Sequence, residues 1–402
     1  MNSQMPETAE HSAGTTPRRR PIGVAVVGFG WMGRVHSQAY TRVLQHFPGL
    51  GVAPRLVAVA DDVPARAHDA AEQFGFARGV DSWRDILHDP EVEAVSITAP
   101  NYVHREIGEA MAKAGKHIWI EKPVGIVEAD AQAVADAVAS AGLVGAVGFN
   151  YRNAPAVRAA RELIASGELG TITHANFRLL SDYAADPDGA LSWRYEVAKS
   201  GRGVLGDLAT HGVDLAWYLL GDLAELVADT AIFIPQRARP HGTTSGHERV
   251  VGGELGQVEN EDFASALLRF DSGARASIEV SRVAIGEQNN YGFTIHGTRG
   301  SVGWDFRRLG ELTLSMGAAF QDQPVSTVRV GPGHGDYASF QPGAAIAMGY
   351  DDLKVIEAAA FLGAIAGERE PIATLADAVR AAHVLDAMAA SADSGRWVTL
   401  RG

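Results

Sequence analysis

Short β-branched runs and helix-spaced apolar patterns alternate along the first third of the chain. Residues 22–27 form an apolar, β-branched run, and 31–46 then repeat apolar positions at helical spacing. The alternation continues with strands predicted over 55–60, 92–98, 117–120 and 143–149, and helices over 64–74, 103–114 and 127–141. Strands separated by helices of about ten to fifteen residues predict a parallel, doubly wound α/β sheet. After residue 170 the texture changes. Strand-like runs follow one another at 171–180, 226–234, 262–270, 274–282, 291–296 and 310–315. The turn Asp271-Ser272-Gly273 marks a hairpin between 263–270 and 274–280. Consecutive strands with short turns predict a mostly antiparallel sheet. A Gly-rich polar stretch at 241–258 reads as a long loop, and helical patterns at 351–367 and 374–391 close the chain.

A chain of 402 residues exceeds one average domain. The division that follows is a tail at 1–20, expected to be disordered, a dinucleotide-type domain at 21–150 and an α+β domain at 151–402. The second carries a large open sheet, and its final helices are placed to pack back on the first. The formal net charge of −13 opposes nucleic acid and anionic membrane as partners. There is no cysteine, which excludes disulfides, thiol nucleophiles and Cys-ligated metals and suits the cytoplasm. Arg18-Arg19-Arg20 could open a twin-arginine export signal, but the apolar run behind it is too short and enters a Gly-rich turn. No stretch is long and apolar enough to predict a membrane span.

Gly28-Phe29-Gly30-Trp31-Met32-Gly33 matches G-x-G-x-x-G. In a chain with 45 glycines, chance supplies about 0.6 such matches, so context decides. A second match, Gly201 to Gly206, follows no strand. The first follows a strand and opens a helix, where its N–H groups meet a pyrophosphate. Asp61 ends the next strand. A carboxylate there accepts from both ribose hydroxyls, and with Asp62 it repels a 2′-phosphate, so NAD is expected over NADP. The spacing from Gly33 is longer than usual, which leaves an acidic loop residue as the alternative.

Glu121-Lys122-Pro123 stands at a strand's C-terminal end, where open α/β sheets hold ligands. Farther on, Asp207 and His211 are four residues apart, on one helical face that Asp214 and Tyr218 continue. The bland alternative is a solvent-facing stripe. A metal pair would lack an evident third ligand, so no metal is expected.

Together GFGWMG at 28–33, TAPNYVH at 98–104, EKP at 121–123, GFNYR at 148–152 and GDLATHGVD at 206–214 resemble the Gfo/Idh/MocA oxidoreductases (glucose–fructose oxidoreductase, inositol dehydrogenase and rhizopine-catabolism proteins). The resemblance implies Lys122, Asp207 and His211 as catalytic residues. It implies Gly28, Gly30, Trp31, Met32, Gly33, Asp61, Thr98, Pro100, Asn101, His104, Glu121 and Lys122 at the cofactor. His211 is the best candidate base, because its ordinary pKa lies near neutrality. Asp207 could orient the imidazole or bind a neighbouring hydroxyl, and Lys122 could stabilise an alkoxide. Whether Lys122 or His211 takes the proton stays open here.

The stretch from Ser181-Asp182-Tyr183 to Leu191-Ser192-Trp193-Arg194, with Gln288-Asn289-Asn290-Tyr291, looks like levoglucosan dehydrogenases and glycoside 3-dehydrogenases. Aromatic faces and polar forks recognise pyranose rings. Tyr151, Arg152, Asp182, Trp193, Arg194 and Asn290 supply both kinds, beside Lys122, Asp207 and His211. The expected activity is oxidation of a secondary hydroxyl, often C3, on an anhydrosugar, glycoside or other polyhydroxylated ring. Inositol 2-dehydrogenation is the alternative within the family, and a non-catalytic NAD-binding sensor the alternative outside it. The resemblance also implies a homo-oligomer, dimer or tetramer, joined through the open sheet.

Overall fold

Six parallel strands form the first sheet, and all but the edge strand at 78–80 are largely apolar runs short enough to be covered by helices on both faces. In this computed structural model, which describes residues 19–240 and 248–400, the first is β1 (Arg20–Val27), buried from Ile22 onward. There follow α1 (Trp31–His46), β2 (Val52–Ala60), α2 (Pro64–Phe74), β3 (Arg78–Val80) and β4 (Ala94–Ile97). The domain closes with α3 (Asn101–Lys113), β5 (His117–Ile120), α4 (Glu128–Ser140) and β6 (Gly145–Val147). The strand order β3-β2-β1-β4-β5-β6 reverses direction between β1 and β4. Loops after those two strands part there and leave a crevice at their C-terminal ends.

The expected tail at 1–20 ends too late. Arg20 already pairs with Val52 in β1, and the Arg19 guanidinium donates to the carbonyls of Leu50 and Pro48. Residues 1–18 lie outside the described part.

The second half begins with α5 (Pro155–Ala165), which the pattern reading passed over. Next come β7 (Ile172–Leu180), a single helical turn α6 (Val197–Ser200) and α7 (Thr210–Leu220). Strands β8 (Leu223–Ala231), β9 (Gln236–Ala238), β10 (Leu255–Gln257), β11 (Phe263–Phe270), β12 (Arg275–Ser281) and β13 (Asn290–Gly297) follow. The remainder is β14 (Gly300–Asp305), β15 (Glu311–Met316), β16 (Ser326–Arg329), α8 (Tyr350–Ile365), α9 (Leu375–Ser394) and β17 (Val398–Thr399). Nine strands make one sheet in the order β16-β15-β14-β13-β7-β12-β11-β8-β17. It is antiparallel except for β7 beside β12, a parallel pair that forms because β7 inserts between two later hairpins. β9 and β10 pair with each other, so the stretch at 241–258 is not all loop; residues 241–247 of it lie outside the described part.

Period-two alternation gives the large sheet two unlike faces. Ala175, Phe177 and Leu179 of β7, with Phe293 and Ile295 of β13, are buried toward the helices. The other face carries Asn176, Glu279, Leu267 and Thr313, which are exposed. Helix α8 is apolar almost all round and lies against α1, where Val355, Ile356 and Phe361 join Ile22, Val24 and Val43 in one core. No helix among the described residues is long and apolar enough to cross a membrane.

Candidate functional site

The loop after β1 is shaped by two close approaches. Gly28 has φ of +88°, and a Cβ there would fall 2.6 Å from the Ala99 backbone. A Cβ on Gly33 would fall 2.3 Å from the Gly28 carbonyl, so the helix can start this close to the strand only with glycine. Above Gly30 nothing lies within 4 Å of a Cβ position. That open space in front of the α1 N-terminus fits a diphosphate, and the residues present fit a dinucleotide. Thr98 holds the crevice's other wall, its hydroxyl donating to the carbonyls of Gly28 (2.5 Å) and Val27 (3.1 Å). The exposed Trp31 ring stacks on Tyr350 of α8 at 5.2 Å, and the Tyr350 hydroxyl donates to Met32 Sδ at 3.6 Å. Pro100 caps α3, and Asn101 Nδ2 donates to the Ser200 carbonyl at 3.4 Å, across to the second half of the chain.

Asp61 is buried at the end of β2. Its Oδ2 accepts from the Phe29 N–H (2.7 Å) and its Oδ1 from the Val63 N–H (2.9 Å), while Arg66 reaches both oxygens. This fixes the carboxylate beside the glycine loop, where an adenosine ribose would meet it. Asp61→Ser is expected to narrow the preference for NAD over NADP by about tenfold to a hundredfold, the loss of a charge-assisted hydrogen bond. Steady-state kinetics with both cofactors measures it, and an unchanged ratio would mean another residue reads the ribose.

Two expected cofactor ligands are engaged elsewhere. Glu121 Oε1 contacts His36 Nε2 (2.9 Å) and Lys354 Nζ (2.5 Å), and Lys354 also meets Glu357 at 2.7 Å. The network is buried, and burial lowers the His36 pKa to about 4. Glu121 therefore ties α1 and α8 to the strand that presents Lys122. His104 lies with Nδ1 2.9 Å from the Pro123 carbonyl and Nε2 2.7 Å from the Ala99 carbonyl. It joins the loop after β4 to the loop after β5.

Lys122, Asp207 and His211 come together. Lys122 Nζ donates to the Asp207 carbonyl at 2.8 Å and to Asp207 Oδ1 at 3.3 Å. Asp207 sits in a π-helical turn, Leu205–Ala209, that opens directly into α7. Such turns break helical phase and re-aim a side chain. The Glu261 carboxylate accepts from the N–H groups of Gly203 and Leu205, which closes the second glycine-rich match to any phosphate. His211 follows in the first turn of α7, its ring 4.6 Å from that of Tyr151. No hydrogen bond within the described protein occupies its ring nitrogens. Burial, then the Lys122 cation, hold its pKa well below 6.5, which favours the neutral imidazole. Burial alone would raise the Asp207 carboxyl, but the cations of Lys122 and Arg194 and the Tyr183 hydroxyl outweigh it and keep it ionised.

Of the expected stripe on α7, only the first two members reach this site. Asp214 instead grips Arg152 through two bonds, to Nε at 2.9 Å and Nη2 at 2.5 Å. Asp377 accepts from Arg152 Nη1 at 3.2 Å, and the Tyr218 ring lies 5.0 Å beneath the same guanidinium. Arg152 is thus the hub of a buried ion cluster rather than a sugar-binding fork. A separate cavity of about 430 Å³ opens behind it, among Trp217, Asp222 and Arg380, and touches none of Lys122, Asp207 and His211. Arg152→Met is expected to cost about 3–5 kcal/mol of stability, because buried Asp214 loses the guanidinium that holds both its oxygens, while Asp377 keeps Arg380. Substrate KM of the folded remainder should stay unchanged. Urea melts with kinetics check this, and a raised KM with wild-type stability would return Arg152 to the substrate.

Asn290 is also displaced from the expected role. Its Oδ1 accepts from Arg178 (2.8 Å) and Arg307 (3.0 Å), on the open face of the sheet. Its neighbour Tyr291 takes the inward position, 6.2 Å from Tyr151 and 5.9 Å from Phe306. Asp182 Oδ2 accepts from the Gly286 N–H at 3.2 Å and staples the loop after β7 to the loop before β13. Trp193 meets Tyr102 edge-to-face at 6.1 Å, with the Arg194 guanidinium 4.7 Å above its ring, so this pair bridges the two halves of the chain. Tyr183, whose hydroxyl donates to Asp207 Oδ2 at 2.6 Å, and Tyr291 stand within the family-like segments of the sequence but not among its expected site residues. Those segments do not single out either tyrosine; the loop and strand geometry does.

Comparison with known proteins bears on the fold and the family. Residues 22–149 match the oxidoreductase family with an NAD-binding Rossmann fold, and residues 157–303 match the GFO/IDH/MocA C-terminal domain. Levoglucosan dehydrogenase of Pseudarthrobacter phenanthrenivorans is 37% identical over 380 residues, 94% of this chain and 97% of that protein. The NAD(+)-dependent scyllo-inositol 2-dehydrogenase of Bacillus subtilis is 30% identical over 287 residues, 70% of this chain and 73% of that one. A solved levoglucosan dehydrogenase in complex with NADH and levoglucosan superposes with a TM-score of 0.89 at 35% identity, covering 95% of this chain and all of that one. From the dinucleotide crevice to the nine-stranded sheet, the chain belongs to the Gfo/Idh/MocA family of NAD-binding oxidoreductases.

Proposed function

We propose that the protein oxidises a secondary ring hydroxyl of levoglucosan or a closely similar pyranoside, with C3 as the reacting carbon. The carrying observation is the His211 imidazole, whose ring nitrogens take no hydrogen bond among the described residues, near an ammonium held by Asp207; burial and that cation favour its neutral form. In this reading His211 accepts the hydroxyl proton, and the Lys122 cation stabilises the alkoxide as it develops. Both Asp207 oxygens are engaged, by Lys122 and by Tyr183, so Asp207 anchors the lysine rather than the imidazole. Tyr151 and Tyr291 offer aromatic walls to the ring. Bound NAD supplies the hydride acceptor. The protein's own parts bind and orient the sugar, hold the lysine and remove the proton.

Levoglucosan is favoured over inositol because similarity to that relative runs along nearly the whole chain. The uncovered face of the nine-stranded sheet supports a homo-oligomer, dimer or tetramer, and the cysteine-free composition suits the cytoplasm. The test is reduction of NAD by levoglucosan, glucosides and inositols, followed at the reduced-nicotinamide band. Turnover led by levoglucosan supports the reading. Turnover with inositols alone would replace the substrate, and tight NADH binding without turnover would leave a sensor.

A further inference from the structure

Lys122 has a long, flexible stem, and its ammonium holds its place only as well as Asp207 holds its own. Asp207 stands on an irregular turn, so its carboxylate needs a second anchor. Tyr183 provides one, with its hydroxyl 2.6 Å from Oδ2 while Lys122 occupies Oδ1. The tyrosine is itself pinned. It follows β7, where the Ser181 N–H donates to the Ser281 carbonyl at 2.9 Å and the Ala184 N–H to the Arg282 carbonyl at 3.0 Å. Arg237, buried beneath, donates to the carbonyls of Ala184 (2.5 Å) and Asp186 (2.7 Å) and lies 4.5 Å over the Tyr195 ring. Arg282 covers the same ring at 4.6 Å. The phenol is thus delivered to Asp207 by a rigid loop, and burial with the Asp207 charge keeps it protonated, so that it is the donor to that carboxylate.

We propose that Tyr183 is a positioning residue: its hydroxyl fixes the Asp207 carboxylate, and through it the Lys122 ammonium, at the reacting hydroxyl. This rests on the dehydrogenase reading above. Tyr183→Phe keeps the ring and removes the hydroxyl. It lowers kcat by about tenfold to a hundredfold, with NAD affinity and melting temperature near wild type. In an Asp207→Asn background the same change costs less than about threefold, because both act on one element. Equal losses in the two backgrounds, or an unchanged kcat in the single variant, would overturn the proposal. A second readout needs no substrate. With ¹³C-methylated lysines, the Lys122 resonance, assigned by its loss in Lys122→Arg, moves in Tyr183→Phe but not when that change is added to Asp207→Asn. An unmoved resonance would likewise overturn the proposal, even if no polyol in the panel were oxidised, the result that would count against the dehydrogenase reading itself.

Discussion

His211→Ala is expected to lower kcat by about 10²–10⁴-fold while leaving NAD affinity nearly unchanged. The imidazole lies off the dinucleotide loop and beside Tyr151, so its loss should be felt in chemistry and not in cofactor binding. Its protonation predicts the pH profile too. A general base works in its neutral form, and burial with the nearby Lys122 cation holds the folded pKa well below 6.5. The acid limb of kcat/KM should therefore fall well under the usual histidine range. Stability follows the same sign. The unfolded chain takes up a proton on this residue near pH 6.5 while the folded protein does not, so His211 makes the fold less stable as pH falls below about 6.5. A wild-type rate in His211→Ala would remove the residue from the base's role.

Lys122→Met should cost about 10²–10³-fold in kcat, the range for losing one preorganised donor to a developing oxyanion. Lys122→Arg should not rescue it. The guanidinium is planar and larger, and cannot meet the Asp207 carbonyl and Oδ1 as the ammonium does. Because the Asp207 carboxylate would keep only Tyr183 as a close hydrogen-bonding partner among the described residues, some loss of stability should accompany Lys122→Met. A variant that raises KM alone, with kcat intact, would mean that Lys122 only binds substrate.

Legibility in the sequence followed the range of the interactions involved. α1, α2 and β5 run over the predicted residues, because strong periodicity and a Gly turn define them locally. α5 and β14 were passed over. The first lies between the end of the expected dinucleotide-type domain at 150 and the strand-rich texture expected after 170, and the second, Gly300–Asp305, is short and carries two glycines. At the site, the glycine loop, Lys122, Asp207 and His211 each lie where a strand ends or a helix begins, and that is visible locally. Partners were not. Arg152 reads as a sugar fork until Asp377, 225 residues away, is seen beside it, and Glu121 as a cofactor ligand until Lys354, 233 residues away, appears. Asn290 and Tyr291 show a different limit. Alternation says that they face opposite ways, but only the packed sheet says which one turns inward.

The most direct measurement is a crystal structure with NADH and levoglucosan bound. The expected result is one ring hydroxyl within about 2.6–3.2 Å of both a His211 ring nitrogen and Lys122 Nζ, with its carbon turned to the nicotinamide. A sugar seated away from these two side chains, or against the Arg152 cavity, would contradict the account.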